Sequence, residues 1–459
     1  MSVILPIHGL LKEALPACGG RVIELEETDQ PKNIASIDDY EDSVTASIVA
    51  TISQDLTMPP KPSIFRTPTI LSRHNPQAYI PGAFSFGPLH HKNPNISYLE
   101  RTEKIKERYL KSLISRLHSP ETMPRELVRS IASVEREARK CYAGPIDCTP
   151  GEFVRILITD GCFIIELFRK HTYTDLRDRD DPIFTMACML QFLYNDLMLL
   201  ENQVPWMVLE RLFAMTMECD RPQKQLVQLV KDFFSHFLSS KMPPPVVLND
   251  LWIGDIEHIL DLLRKWLILS IKEDEYINKS AWQPMPSATS LVEAGIKFKR
   301  GKSNMSILSI NFNDGVLEIP PLLIQETTET VFRNLIAFEQ CYPKCEAKFT
   351  SYAVLLDNLI STSKDINILC KNNILDSWLN PEDAVQFFRK LYHNTYVKEY
   401  HYLHICQKVN EYCQRRCPRW RAALVSNYFF TPWAGTSTVA AAVLLLLTLV
   451  QTVFTVIKK

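Results

Sequence analysis

Residues Thr149 to Leu167 read TPGEFVRILITDGCFIIEL, and this stretch decides the fold class. It opens with a helix start built from near neighbours. Thr149 is placed to cap, Pro150 takes the first helical position, and Glu152 completes a capping box three residues after the cap. Phe153, Ile156, Leu157, Phe163, Ile164 and Leu167 then make the helix apolar nearly all round, which predicts a buried helix rather than a surface one. Asp160 lies inside it beside Gly161. A carboxylate in such surroundings must find a partner, and Arg155 or a basic residue of another helix would serve.

A buried helix needs other helices around it, and the flanking sequence supplies them. Upstream, Leu99–Leu117 carries Leu110, Leu113, Ile114 and Leu117 on one stripe, and Arg125–Tyr142 repeats the pattern with Leu127, Ile131, Val134 and Ala138. Downstream, helices are predicted over Ile183–Leu200, Pro205–Met217, Gln223–Leu238 and Asp255–Leu269. The period then changes from helical to alternating. Gly295–Phe298, Met305–Phe312 and Val316–Ile319 read as short strands, with Asn313, Asp314 and Gly315 as a tight turn between the last two. They predict a small antiparallel β-meander at about 294–319. Helices resume over Gln325–Cys341, Phe349–Ser361, Ile366–Lys371, Pro381–Tyr392 and Tyr396–Cys417. Ahead of all this, prolines at 68, 76, 81, 88 and 94 forbid a long helix, so Ile64–Pro94 is expected to cross the domain as an extended strap.

The ends differ from the middle. Residues 1–60 read as a variable, poorly ordered arm with acidic clusters at Glu24–Asp29 and Asp38–Asp42 and one short helix at Ser43–Leu56. Pro59, Pro60 and Pro62 stiffen its boundary with a single domain spanning 61–430. At the other end, 433–457 reads WAGTSTVAAAVLLLLTLVQTVFTVI without a charge. As a helix it would extend roughly 36 Å, enough for a hydrocarbon core of ~30 Å. The expected architecture is therefore mainly α: a multi-helix domain with a small antiparallel β-meander and one C-terminal transmembrane helix. Arg415, Arg416, Arg419 and Arg421 flank that segment, so the positive-inside rule predicts a large domain facing the cytosol, anchored to the lipid bilayer as a single-pass protein of the plasma membrane.

Composition narrows the chemistry. With 51 basic and 52 acidic residues there is no global field to draw the chain onto nucleic acid. Thirteen glycines against 29 prolines, with no GxGxxG and no Walker-type loop, argue against a nucleotide cradle. Twelve cysteines form no CxxC pair, the nearest spacings being Cys341/Cys345 and Cys413/Cys417, which fits a reduced compartment better than a zinc site. No cofactor and no metal is expected. Sequons at Asn95, Asn278 and Asn304 occur at about the chance frequency and do not set the topology.

Four constellations compete for chemistry, and each has a structural reading beside it. His90 and His91 are adjacent, so their side chains diverge on a helix or a strand and cannot easily meet one metal. Asp160 with Glu201 would make a general acid–base pair, but neither a nucleophile nor a phosphate cradle accompanies them, and the residues around them suit interhelical hydrogen bonds. A hydrolase could use His90 or His91 with Asp160 and Cys162, yet a thiol in an apolar helix is inert unless a base sits beside it. Cys406, Cys413 and Cys417 lie among the arginines near the C-terminal helix, which allows acylation in a membrane-proximal scaffold, or simple helix packing.

Several blocks together resemble the plant family known as domain of unknown function 247. These are Ile64–Pro68, Ala78–Pro81, Phe84–His91, Asp160–Leu167, Leu200–Pro205, Ala294–Phe298, Ile319–Leu322 and Phe332–Gln340. Thr67, Phe86 and Lys92 stand where that family's pattern usually has Val, an aliphatic residue and Gly. The resemblance implies a mainly helical fold with no established catalytic residues. It also implies that some grass members act in self-incompatibility, through recognition between pollen and stigma. The expectation for this chain is a non-enzymatic recognition or signalling protein that binds an unknown protein partner and no nucleic acid.

Overall fold

The computed structural model describes residues 37–53, 62–92, 99–217, 224–235, 256–268, 283–302, 305–397, 399–415 and 432–457. Contacts divide the chain into two units, Met1–Met58 and Pro59–Lys459. In the first, the described residues form one helix, α1 (Ile37–Ser53), which begins six residues before the helix expected at Ser43. Its acidic residues fall in the first turns, where carboxylates favour the positive end of the helix dipole. The rest of the expected arm lies outside the described residues.

The second unit is largely helical. Its longer helices are α2 (Leu99–Ser115), α3 (Met123–Ala132), α4 (Glu135–Lys140), α5 (Pro150–Thr172), α6 (Ala187–Asp196), α7 (Trp206–Met215), α8 (Leu226–Phe233), α9 (Ile259–Ile268), α10 (Glu326–Cys341), α11 (Lys348–Leu359), α12 (Ser363–Lys371), α13 (Pro381–Leu391) and α14 (Leu403–Gln414). The 23-residue α5 is the central beam, and α2, α3, α7 and α8 all pack on it. Its start is the capping box read from the sequence: Glu152 N–H donates to Thr149 Oγ1 at 3.2 Å and Thr149 N–H donates to Glu152 Oε2 at 3.1 Å. From Phe153 to Lys170 nearly every residue is buried, which is why its sequence is apolar on all sides. The expected helix over Arg125–Tyr142 is in fact two, α3 and α4, broken at Ser133–Val134.

The sheet departs from expectation. Strands β1 (Lys297–Arg300), β2 (Asn311–Asn313) and β3 (Val316–Ile319) form a mixed sheet in the order β1-β3-β2, not an antiparallel meander. β2 and β3 are the expected hairpin, with Asp314 and Gly315 both at positive φ in the turn. β1 runs parallel to β3, pairing Lys297 with Val316 and Arg300 with Ile319. The reason is local: Met305–Ile310 alternates in composition but folds as turns, with Ser309 N–H donating to Ser306 O at 2.9 Å and Ile310 N–H to Leu308 O at 3.0 Å. Its apolar residues Ile307, Leu308 and Ile310 are buried without joining a ladder, and the detour lets β3 take the central place. A second pair, β4 (Leu322–Ile324) with β5 (Leu375–Ser377), is also parallel and ties the segment before α10 to the one after α12.

The C-terminal segment requires a second correction. It is helical, α15 (Pro432–Ile457), but among the described residues no helix is long and apolar enough to cross a membrane. Thr448, Gln451 and Thr452 are polar residues of α15, the two threonine hydroxyls donating back to Leu444 O and Thr448 O at 2.7 Å. The transmembrane helix expected at 433–457 therefore does not stand.

Candidate functional site

The polar residues singled out in the sequence converge on one place, the underside of the strap 78–91. Asp160 of α5 is buried and accepts from Lys106 Nζ at 2.7 Å and from Gly87 N–H at 2.8 Å. Its partner is thus a lysine of α2 and not Arg155, which lies exposed 3.9 Å from Glu107. Lys106 is itself fully buried and also donates to Glu103 at 2.6 Å and to Ser85 O. Asp196 of α6 accepts from three successive strap N–H groups, Gly82, Ala83 and Phe84, at 2.7, 2.9 and 2.7 Å. Asn202 accepts from Phe86 N–H at 2.6 Å and donates to Phe84 O at 2.9 Å. Gln203 donates to Leu197 O and Leu199 O, and Asn334 of α10 donates to Ala78 O while accepting from Leu200 N–H. Prolines limit the helix in this region to the short turns Thr69–Ser72 and Pro76–Tyr79, so the backbone groups beyond them are satisfied by these side chains instead. Burial pushes both Asp160 and Asp196 up to about 6, with Lys106 and the strap N–H groups acting in the opposite direction.

Gly87 shows how closely this assembly fits. Its φ is +70°, and a Cβ there would lie 2.6 Å from Gln203 O and 2.8 Å from Tyr142 Oη. Phe84 and Phe86 of the strap stack on Phe163 of α5 with ring centroids 5.6 and 5.9 Å apart.

The proposed chemical constellations do not assemble here. Glu201 is engaged by Thr67 N–H at 2.8 Å and by His90 Nε2 at 3.3 Å, while Asp160 is engaged by Lys106, so the two carboxylates serve different partners. Cys162 is fully buried, and burial pushes its thiol up to about 12, away from the thiolate a nucleophile needs. Burial lowers the pKa of His91. Cys406 and Cys413 are buried in α14, burial raising the Cys406 thiol to about 11, while Cys417 lies outside the described residues. Two anchors were missed in the sequence. Glu339 of α10 accepts from the N–H groups of Phe349 and Thr350 at the start of α11, both at 2.9 Å, and from Arg264 at 3.2 Å. His258 is fully buried, with Nδ1 accepting from Asp261 N–H at 3.2 Å and Nε2 3.1 Å from Ser63 O.

A different feature has the form of a binding site. α2 and α3 both pack on α5 and leave between them an open groove of about 860 Å³. Val154 and Ile158 of α5 form its floor, Leu110 and Ile114 one wall, Leu127 and Val128 the other. Val128 is 51% exposed at the open side of the groove. The rim carries Glu107, Arg155, Arg136 and Glu137. Arg136 and Glu137 make no ion pair with the described residues. No sequence pattern announced this groove, because its lining comes from four separate helices.

A family model described as DUF247, a plant protein of unknown function, matches residues 64–447. The chain belongs to this family. Among relatives in Arabidopsis thaliana, UPF0481 protein At3g47200 is 26% identical over 417 residues, covering 84% of this chain and 85% of the relative. Putative UPF0481 protein At3g02645 is 22% identical over 486 residues, covering 85% and 89%. No solved structure shows a significant match. Of the DUF247 blocks read in the sequence, Ala78–Pro81 and Phe84–His91 lie in the strap, while Asp160–Leu167, Leu200–Pro205 and Phe332–Gln340 carry side chains that hold it.

Proposed function

We propose that this DUF247 member is a non-enzymatic recognition protein that acts by binding another polypeptide, and that the groove between α2, α3 and α5 is where it does so. The observation that supports this reading is the contrast between the strap and the groove. Under the strap, the buried carboxylates are consumed by backbone donors and Lys106, leaving little for substrate chemistry. The groove, by contrast, offers an apolar floor with a charged rim, the anatomy of a recognition surface. Two helical walls over a helical floor suit an amphipathic helix as occupant, laid in with apolar residues at i, i+3, i+4 and i+7. The unengaged Arg136 and Glu137 call for a carboxylate and a cation on its flanks.

A photo-crosslinking side chain at Val128 in the full chain tests this in plant extract. The reading requires a crosslinked protein whose attached segment is an amphipathic helix, and its loss when Val128→Arg is combined with a crosslinker at Ile114. Crosslinks that persist with Val128→Arg, or that fall on an extended segment, would overturn it. A role in self-incompatibility is a sharper form of the same proposal. It requires that plants lacking the chain fail to reject self pollen, and normal rejection would dismiss it.

A further inference from the structure

β1 is an edge strand, and the order β1-β3-β2 leaves its outer side without a described strand. Lys297 N–H donates to Gly315 O and Gly301 N–H to Ile319 O, both at 2.8 Å, so residues 297, 299 and 301 face β3. In a parallel ladder the bonding residues alternate, so the N–H and C=O groups of Phe298 and Arg300 point the other way. The edge is also strongly basic. Lys297, Lys299, Arg300 and Lys302 are all exposed within six residues. Lys299 pairs across the ladder with Glu318 at 3.1 Å, while Lys297, Arg300 and Lys302 make no ion pair with the described residues. Arg300 borders a cleft of about 470 Å³ whose other side is built by Leu323 of β4 and by Asp376 and Ser377 of β5, so room exists beside the open edge.

We propose that the β1 edge is a second docking site, taking an extended acidic segment of a partner protein that adds to the sheet as a further strand. Main-chain bonds to Phe298 and Arg300 would hold the segment, and charge would select it. Side chains of a strand alternate faces, so the preferred segment alternates carboxylates with apolar residues, the carboxylates lying on the side of Lys297 and Lys299. The same row of cations repels a second copy of β1, which keeps the edge from pairing with itself. This surface is independent of the helical groove, and either proposal can fail without the other.

The test uses the full chain and a labelled peptide of alternating Glu and Val, followed by fluorescence anisotropy and by hydrogen exchange of the segment containing 297–301. Binding should slow exchange there. Methylating the backbone nitrogens of one alternate set of peptide residues should weaken binding at least about tenfold, while methylating the other set should leave it nearly unchanged, because only one set faces the edge. Lys297→Glu with Lys299→Glu, both exposed and on the face that would meet the carboxylates, should weaken it by a similar factor. Equal tolerance of both methylated peptides would reduce the contact to diffuse charge attraction and overturn the proposal. So would an unaltered affinity in the charge-reversed variant, tight binding of a Lys–Val peptide, or no binding at all. The methylation comparison needs no protein variant, so misfolding cannot obscure it.

Discussion

Replacing Lys106 by Met should destabilise the protein in a pH-dependent way. The wild-type ammonium is fully buried and engaged by Asp160 Oδ1 at 2.7 Å, by Glu103 at 2.6 Å and by Ser85 O. Met fills the space but leaves Asp160 with the Gly87 N–H as its sole described donor. Breaking a buried ion pair from one side costs about 3–5 kcal/mol, because the remaining charge is left uncompensated. Burial already raises Asp160 to about 6 even with Lys106 opposing it, so in the variant its folded-state pKa must lie higher still. A carboxyl whose folded pKa exceeds its unfolded value of about 3.9 binds more protons when folded, so the folded state gains stability as pH falls between the two values, by about 1.4 kcal/mol per unit. In wild type that gain begins near pH 6, whereas in Lys106→Met it begins at a higher pH. The variant's deficit should therefore be largest at pH 7 and shrink by about 1 kcal/mol by pH 5. Lys106→Met with Asp160→Asn should recover most of the loss at neutral pH, since both charges are then gone and Asn retains an acceptor for Gly87. Urea midpoints at pH 5, 6 and 7, followed by tryptophan fluorescence, measure all of this. A deficit that is flat or grows on acidification, or a double variant no better than the single, would refute the reasoning.

Three further outcomes follow from the same contacts. Gly87→Ala places a Cβ 2.6 Å from Gln203 O at a φ of +70°, and should lower stability by about 2–4 kcal/mol, seen as a falling thermal midpoint. Asp196→Ala removes the acceptor for three strap N–H groups, so hydrogen exchange at Gly82–Phe84 should accelerate well beyond the global change in stability. His258 is buried with its pKa lowered by burial, so the unfolded state binds the proton more readily and stability is lost as pH falls below about 6.5. His258→Gln should cost about 1–2 kcal/mol at pH 7 yet flatten the pH dependence just below 6.5, and an unaltered acid limb in denaturant titrations would count against this account.

What the sequence disclosed, and what it hid, follows from the range of the interactions involved. The start of α5 was legible because a capping box is made of residues three apart, and the Asp314–Gly315 hairpin because its turn is two residues. The parallel pairings of β1 with β3 and β4 with β5 were not, because they join segments whose alternation is too short to signal a partner. The three residues of β5, Leu375 to Ser377, carry no alternation to read. Lys106 is the instructive case. The buried face of α2 runs through Thr102, Lys106, Tyr109 and Leu113, spacings of four, three and four. A lysine on that face, in a chain that also places an aspartate inside an apolar helix, is a signal that both are buried and paired, because neither charge could be left alone there. The stripe read from Leu110 onward was one turn too short to include it. The groove stayed hidden for the complementary reason: its residues are unremarkable wherever they sit, and only the separation of α2 from α3 across α5 makes them a surface. Polar anomalies within an element can be found by period, but a cavity between elements requires the packing itself.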